Sequence, residues 1–150
     1  MIFWLLHDLI KFIVTGTLLA IEEMKRSGRG GVIINIASMA GIFPQYQTPI
    51  YAATKAGIIH FTRSLAHLHS LYNVRVCALA PSFADTPMLQ YLEEPVKEAI
   101  ASQWGVMSPD LVADATFELA VDSKKQGGGA VLRLTPTLRD YWQSKYKAKL

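Results

Sequence analysis

Val32-Ile33-Ile34-Asn35-Ile36-Ala37, followed by Ser38, is the stretch on which the fold turns. It is rich in β-branched residues and follows the glycines at 28, 30 and 31. Its near-continuous apolarity predicts a parallel strand buried on both faces rather than a half-exposed one. Downstream, a loop with Gly41, Pro44 and Gln47 leads into Tyr51–Leu71, a proline-free, alanine-rich stretch that predicts a helix. Ala52, Ala53, Ala56 and Gly57 share one side of it, where a neighbouring backbone could approach closely. Tyr51, Lys55, Ile58, Thr62 and Leu65 share the other. Asn73 ends the helix, and Val74–Ala80 reads as a second buried strand. Strand, helix and strand form a βαβ unit, whose crossover is expected to be right-handed.

Upstream, residues 1–27 place His7, Asp8, Lys11, Thr15, Glu22, Lys25 and Arg26 on one arc at helical spacing, opposite Leu, Ile, Phe and Val. This predicts one long amphipathic helix, closed by Gly28. The charged residues at 8 and 11 leave too short an apolar run for a membrane span, and no basic residue precedes it as in a signal peptide. Further along, Pro81–Pro87 reads as a loop and 89–104 as a helix pair or a lid-like excursion. Ser108-Pro109-Asp110 starts a helix running to about Asp122, with a hydroxyl at the N-cap and proline in the first helical position. Gly127-Gly128-Gly129 introduces a third strand, Ala130–Thr135, and a basic tail follows. The order predicts an α/β fold with a parallel sheet of about three strands, over 1–135, with 136–150 as the tail.

Composition narrows the function classes. The chain has 150 residues, 51% hydrophobic and 18% charged, with a formal net charge of +3. The basic residues are not clustered, which points away from nucleic acid. The single cysteine, Cys77, excludes an internal disulfide and a cysteine zinc site, and reads as an inert core thiol in the second strand. His67 and His69 are two apart on the helix and cannot form a helical metal pair, so no metal site is expected. Glu22-Glu23 and Glu93-Glu94 read as solvated faces. The chain is expected in the cytoplasm. An alternative, the peroxisome, comes from Ala148-Lys149-Leu150, a variant of a C-terminal Ser-Lys-Leu address.

In open α/β sheets, reactive groups gather past the carboxyl ends of the strands. Ser38 stands there, and Tyr51-Ala-Ala-Thr-Lys55 opens the following helix. A spacing of four puts tyrosine and lysine on one helical face. A nearby ammonium favours the phenolate form of a tyrosine, suiting it to exchange a proton with an alcohol or ketone oxygen. A strand-end serine could hydrogen-bond the same oxygen. The spacing alone is weak, because Tyr141-Trp-Gln-Ser-Lys145 repeats it in the tail with no strand before it.

Taken together, Ile33–Gly41 (IINIASMAG), Tyr51–Gly57 (YAATKAG), Phe61–Ala66 (FTRSLA) and Pro81–Met88 (PSFADTPM) resemble the second half of a short-chain dehydrogenase/reductase, of the hydroxyprostaglandin-dehydrogenase-like kind. The resemblance runs from about Gly16 to Thr135. It implies the C-terminal part of a doubly wound Rossmann-type sheet and an NAD(P)-dependent interconversion of a secondary alcohol and a carbonyl. Tyr51 would be the acid/base, Ser38 would polarise the substrate oxygen, and Lys55 would hold the nicotinamide ribose and support Tyr51. Thr86 would contact the nicotinamide end. Helices 1–27 and 51–71 would form a homodimer interface.

Three departures from the family pattern carry expectations of their own. No Gly-x-Gly-x-x-Gly turn lies between a strand and a helix, and the residue that separates NAD from NADP is absent with it. Leucine stands at position 9, where a helix asparagine would complete the catalytic set. Ser82 replaces the glycine usual after the proline. A dinucleotide site needs two βαβαβ halves meeting at a switch point. The 150 residues alone are therefore expected to be a truncated fold with weak or absent NAD or NADP binding. The first strand would be an exposed apolar edge. Two function classes follow: an oxidoreductase, or a catalytically impaired remnant acting as a dimerising or interaction module.

Overall fold

The computed structural model describes residues 2–121 and 128–142, with side chains from Asp8 onward except Leu9. The sheet has four strands in the order β1 (Gly31–Ile36), β2 (Val74–Pro81), β3 (Val131–Leu134) and β4 (Arg139–Tyr141). The first three are mutually parallel, with Ile34 opposite Cys77 and Leu79 opposite Leu132. The expected α/β class with its parallel sheet is therefore present. The strand count is a correction: β4 pairs antiparallel to β3 within the stretch that reads as a polar tail. Ion pairing explains why so polar a segment stays in the sheet. Arg133 on β3 grips Asp140 with two hydrogen bonds, and Arg139 pairs with Glu118. Such partners satisfy charges that sequence polarity alone assigns to solvent.

Helices cover both faces. α1 (Ile2–Ser27) and α2 (Pro49–Ser64) lie on one side, and α6 (Pro109–Val121) lies on the other. Alternation along the strands divides the core accordingly. Cys77, Leu79, Leu132 and Leu134 meet Ala115 and Leu119 of α6. Ala37, Ala78, Ala80 and Val131 meet Ile58 and Ile59 of α2, with Ile10 and Ile13 of α1 beside them. β2, in the middle, is buried along nearly its whole length, as its unbroken apolar run requires. Ser108 caps α6 by accepting from the Leu111 N–H.

The helix expected over 51–71 is two helices, α2 and α3 (Leu68–Tyr72), separated by a turn at 65–67. The chain leading into β3 crosses close to this turn. A Cβ on Gly128 would sit 2.7 Å from the Ala66 carbonyl oxygen, and one on Gly129 would sit 2.8 Å from the Ala66 Cβ. The turn that leads into β3 thus packs tightly on the backbone of this helix break. α1 buries a single stripe, Ile10, Ile13, Thr17, Ile21 and Met24, narrower than its apolar arc. Phe12 is 72% exposed and Leu19 61%. The helix pair before α6 is present as α4 (Pro87–Gln90) and α5 (Glu94–Gln103). No helix among the described residues is long and apolar enough to cross a membrane. The 148–150 address and Lys145 lie outside the described residues, as does the side chain of Leu9.

Candidate active site

β1 ends at Ile36, and the chain turns through a single 3-10 turn, Met39–Gly41, before reaching α2. Ser38 is the N-cap of that turn. Its Oγ accepts from the Ala40 N–H at 3.1 Å, which fixes the side chain and leaves its O–H as a donor. α2 starts with Pro49, whose missing N–H costs nothing in a first turn. Tyr51 follows, half-buried, and one turn later comes Lys55, only 7% exposed. The Lys55 Nζ lies 5.7 Å from the centre of the Tyr51 ring. It donates to the Ile36 carbonyl at 3.0 Å. Burial pushes the Lys55 ammonium below the ordinary lysine range, since leaving water disfavours the charged form.

Lys55 thus reaches the carboxyl end of β1 with the Tyr51 ring beside its amine. Ser38 lies two residues past the carbonyl that Lys55 engages, and Tyr51 lies one helical turn before Lys55. The alternating direction of strand amides adds a detail. Ala37 N–H donates to Leu79 of β2, so the Ile36 carbonyl turns to the opposite edge of β1. Lys55 satisfies an acceptor that no strand pairs with among the described residues.

Gly41 holds the two segments together. A Cβ there would lie 2.6 Å from the Lys55 carbonyl carbon and 2.8 Å from the Ala56 nitrogen. The loop therefore lies directly against the backbone of α2, on the small-residue face formed with Ala52 and Ala56.

The loop after β2 contributes differently. Ser82 N–H donates to Leu134, while its Oγ is buried and finds no partner among the described residues. Thr86 stands at the start of α4 without a side-chain cap bond, its backbone carbonyl accepting from Leu89 and Gln90. Buried Met107 anchors this loop, accepting from Asp85 and donating to Phe83. Tyr141 sits in β4 rather than on a helix, and its hydroxyl reaches Glu118 at 3.3 Å. The Tyr51 and Tyr141 motifs are therefore separated by structural context, as the strand before Tyr51 implies.

One link that matters here escaped the sequence reading, although Asn35 and Thr62 stand in the strand and helix it named. Asn35, buried in β1, accepts from Thr17 and donates to Thr62. The available signal was an amide in an otherwise apolar strand, paired with a threonine seven residues past Lys55.

A family model described as short chain dehydrogenase matches residues 9–97. The chain belongs to the short-chain dehydrogenase family. It is similar to the human 15-hydroxyprostaglandin dehydrogenase (NAD+), 34% identical over 91% of this chain and 58% of the relative. It is also similar to the cis-4-hydroxycyclohexanecarboxylate dehydrogenase of Sinomonas cyclohexanicum, 34% identical over 75% of this chain and 46% of that protein. Among solved structures, the 3-hydroxyacyl-CoA dehydrogenase type-2 of Mycobacterium avium superposes with a TM-score of 0.74 at 25% identity, over 90% of this chain and 57% of that one. The chain spans about half the length of the curated dehydrogenases it matches, from 46% to 58%.

The glycines bear on whether the described residues fit the dinucleotide that the family implies. A phosphate cradle needs bare backbone facing open space at the start of a helix. Gly30 packs on the Asn73 backbone and Gly31 on the Met24 side chain, and Gly28 closes α1 at its C-terminal, electronegative end. Gly128 and Gly129 press on Ala66. None of these described glycines offers a seat for a pyrophosphate.

Proposed function

We propose that this chain carries the proton-transfer end of an NAD(P)-dependent oxidoreductase that interconverts a secondary alcohol and a carbonyl. The observation that carries the reading is the buried Lys55 amine, held by the Ile36 carbonyl at the end of β1 and beside the Tyr51 ring. Tyr51 acts as the acid/base, exchanging a proton with the substrate oxygen. Ser38, fixed by its cap bond, donates its O–H to the same oxygen. Lys55 supplies a positive charge that favours the phenolate during proton transfer. Lys55 and Thr86 face the nicotinamide end. When bound, the dinucleotide would supply or accept the hydride.

The glycines support a second reading. With no described pyrophosphate seat, these residues alone bind NAD or NADP weakly. They would then act as an impaired remnant that associates through α1 and the α2–α3 segment as a homodimer. The exposed Phe12 and Leu19 on α1 favour that surface.

Two measurements separate the readings. Absorbance at the reduced-nicotinamide band is followed with millimolar NAD+ or NADP+ and a panel of secondary alcohols, and light scattering gives the mass in solution. Turnover that vanishes in Tyr51→Phe supports the oxidoreductase. A dimer without turnover supports the second reading.

A further inference from the structure

Asn35 is a costly residue where it stands. Valine or leucine would continue the apolar run of β1, whereas a buried amide must find hydrogen bonds or lose several kcal/mol, roughly 2–7 by transfer measurements. It finds them on two helices. Thr17 Oγ1 of α1 donates to Asn35 Oδ1 at 3.0 Å, and Asn35 Nδ2 donates to Thr62 Oγ1 of α2 at 2.9 Å. All three side chains are buried.

The place of this link matters as much as its strength. Asn35 immediately precedes Ile36, whose carbonyl accepts from Lys55. Thr62 lies seven residues, about two turns, beyond Lys55 on the same buried face of α2. The strand is therefore joined to the helix at two points, from adjacent residues on β1 to positions two turns apart on α2. Two such points fix both the rotation of the helix and its slide along the strand. The packing of Ile58 and Ile59 between them is non-directional and fixes neither alone.

We propose that Thr17, Asn35 and Thr62 form a positioning network that sets the rotation of α2 on β1 and thereby holds the Lys55 amine at the Ile36 carbonyl. The consequence for proton transfer rests on the function proposed above, but the positioning does not.

The test reads Lys55 directly. Carbon-13 lysine is incorporated into the full chain, the Lys55 Cε resonance is assigned with Lys55→Met, and its titration is followed by NMR. Thr62→Ser, which keeps the hydroxyl, retains the wild-type midpoint. Thr62→Val moves the midpoint toward the ordinary lysine value by about half a pH unit or more, because the amine leaves its buried seat. Leu119→Ala, which destabilises the opposite face of the sheet, leaves the midpoint in place. A wild-type midpoint in Thr62→Val overturns the proposal. So does an equal shift in Thr62→Ser or in Leu119→Ala. Should Thr62→Val not fold, Thr62→Ala is read in the same way. Failure of both to fold where Thr62→Ser folds also overturns it, since the network would then hold the fold rather than place the amine. Turnover is not read, so the outcome is independent of the role of Tyr51.

Discussion

The Lys55 amine donates to the Ile36 backbone carbonyl at 3.0 Å, joining the second helix to the last residue of the first strand. A lysine that is 7% exposed, with a strand carbonyl as its hydrogen-bond partner, is held against the cost of removing a charge from water. That cost has a pH dependence with a definite sign. The folded-state pKa is lowered by burial, so between that value and the ordinary value of 10.5 the unfolded chain binds more protons. Stability from this group therefore rises with pH across the window, and the penalty is complete below it. In urea unfolding from pH 7 to 10, the stability of the wild type relative to Lys55→Met is expected to rise. A flat or falling difference would contradict the burial of a charged amine.

Gly41 predicts a packing effect. With backbone atoms of Lys55 and Ala56 at 2.6–2.8 Å from where a Cβ would be, no flexible side chain can yield. Gly41→Ala is expected to lose about 1–3 kcal/mol of stability, the usual cost of forcing atoms into a filled site. Thermal unfolding followed by circular dichroism checks it, and an unchanged midpoint would show that the loop does not lie against α2.

Tyr51 separates chemistry from folding. The side chain is half-buried, so Tyr51→Phe keeps its packing and removes only the hydroxyl. Unfolding is expected to stay within about 0.5–1.5 kcal/mol of wild type, the span of one net hydrogen bond. Any NAD(P)-dependent turnover is expected to disappear. Retained turnover would show that another group moves the proton.

Cys77 is a control on the core. It is fully buried in β2, and burial raises its pKa, partly offset by the nearby Arg75 charge and a hydrogen bond with the Ala130 backbone. The reactive species is the thiolate. Labelling by an aromatic disulfide reagent at pH 7.5 is expected to be slow in the native protein and fast in denaturant. Fast native labelling would mean that the middle of the sheet is open.

The features legible in the sequence were those with a strong local pattern. The strand at 32–37, the Ser108-Pro109 helix start and the shared helical face of Tyr51 and Lys55 follow from apolar pattern, capping and spacing. However, β1 is an edge strand, partly exposed with Ile36 at 44%, and is not buried on both faces. What escaped depended on partners distant in the chain. β4 is polar by composition and joins the sheet through Arg133 and Glu118. The break after Ser64 sits beside a turn more than sixty residues later, at Gly128 and Gly129. The hydrogen bonds of Asn35 run to Thr17 and Thr62, which are 18 and 27 residues away in the chain.

The proposed function puts proton transfer at the end of β1, where Lys55 and Tyr51 lie, while the described glycines at 28, 30, 31, 128 and 129 offer no pyrophosphate seat. Calorimetric titration of the 150-residue chain with NADH and with NADPH tests it most directly. The account predicts no saturable heat at micromolar ligand, with at most binding in the millimolar range. A saturable micromolar dissociation constant for either dinucleotide would contradict it.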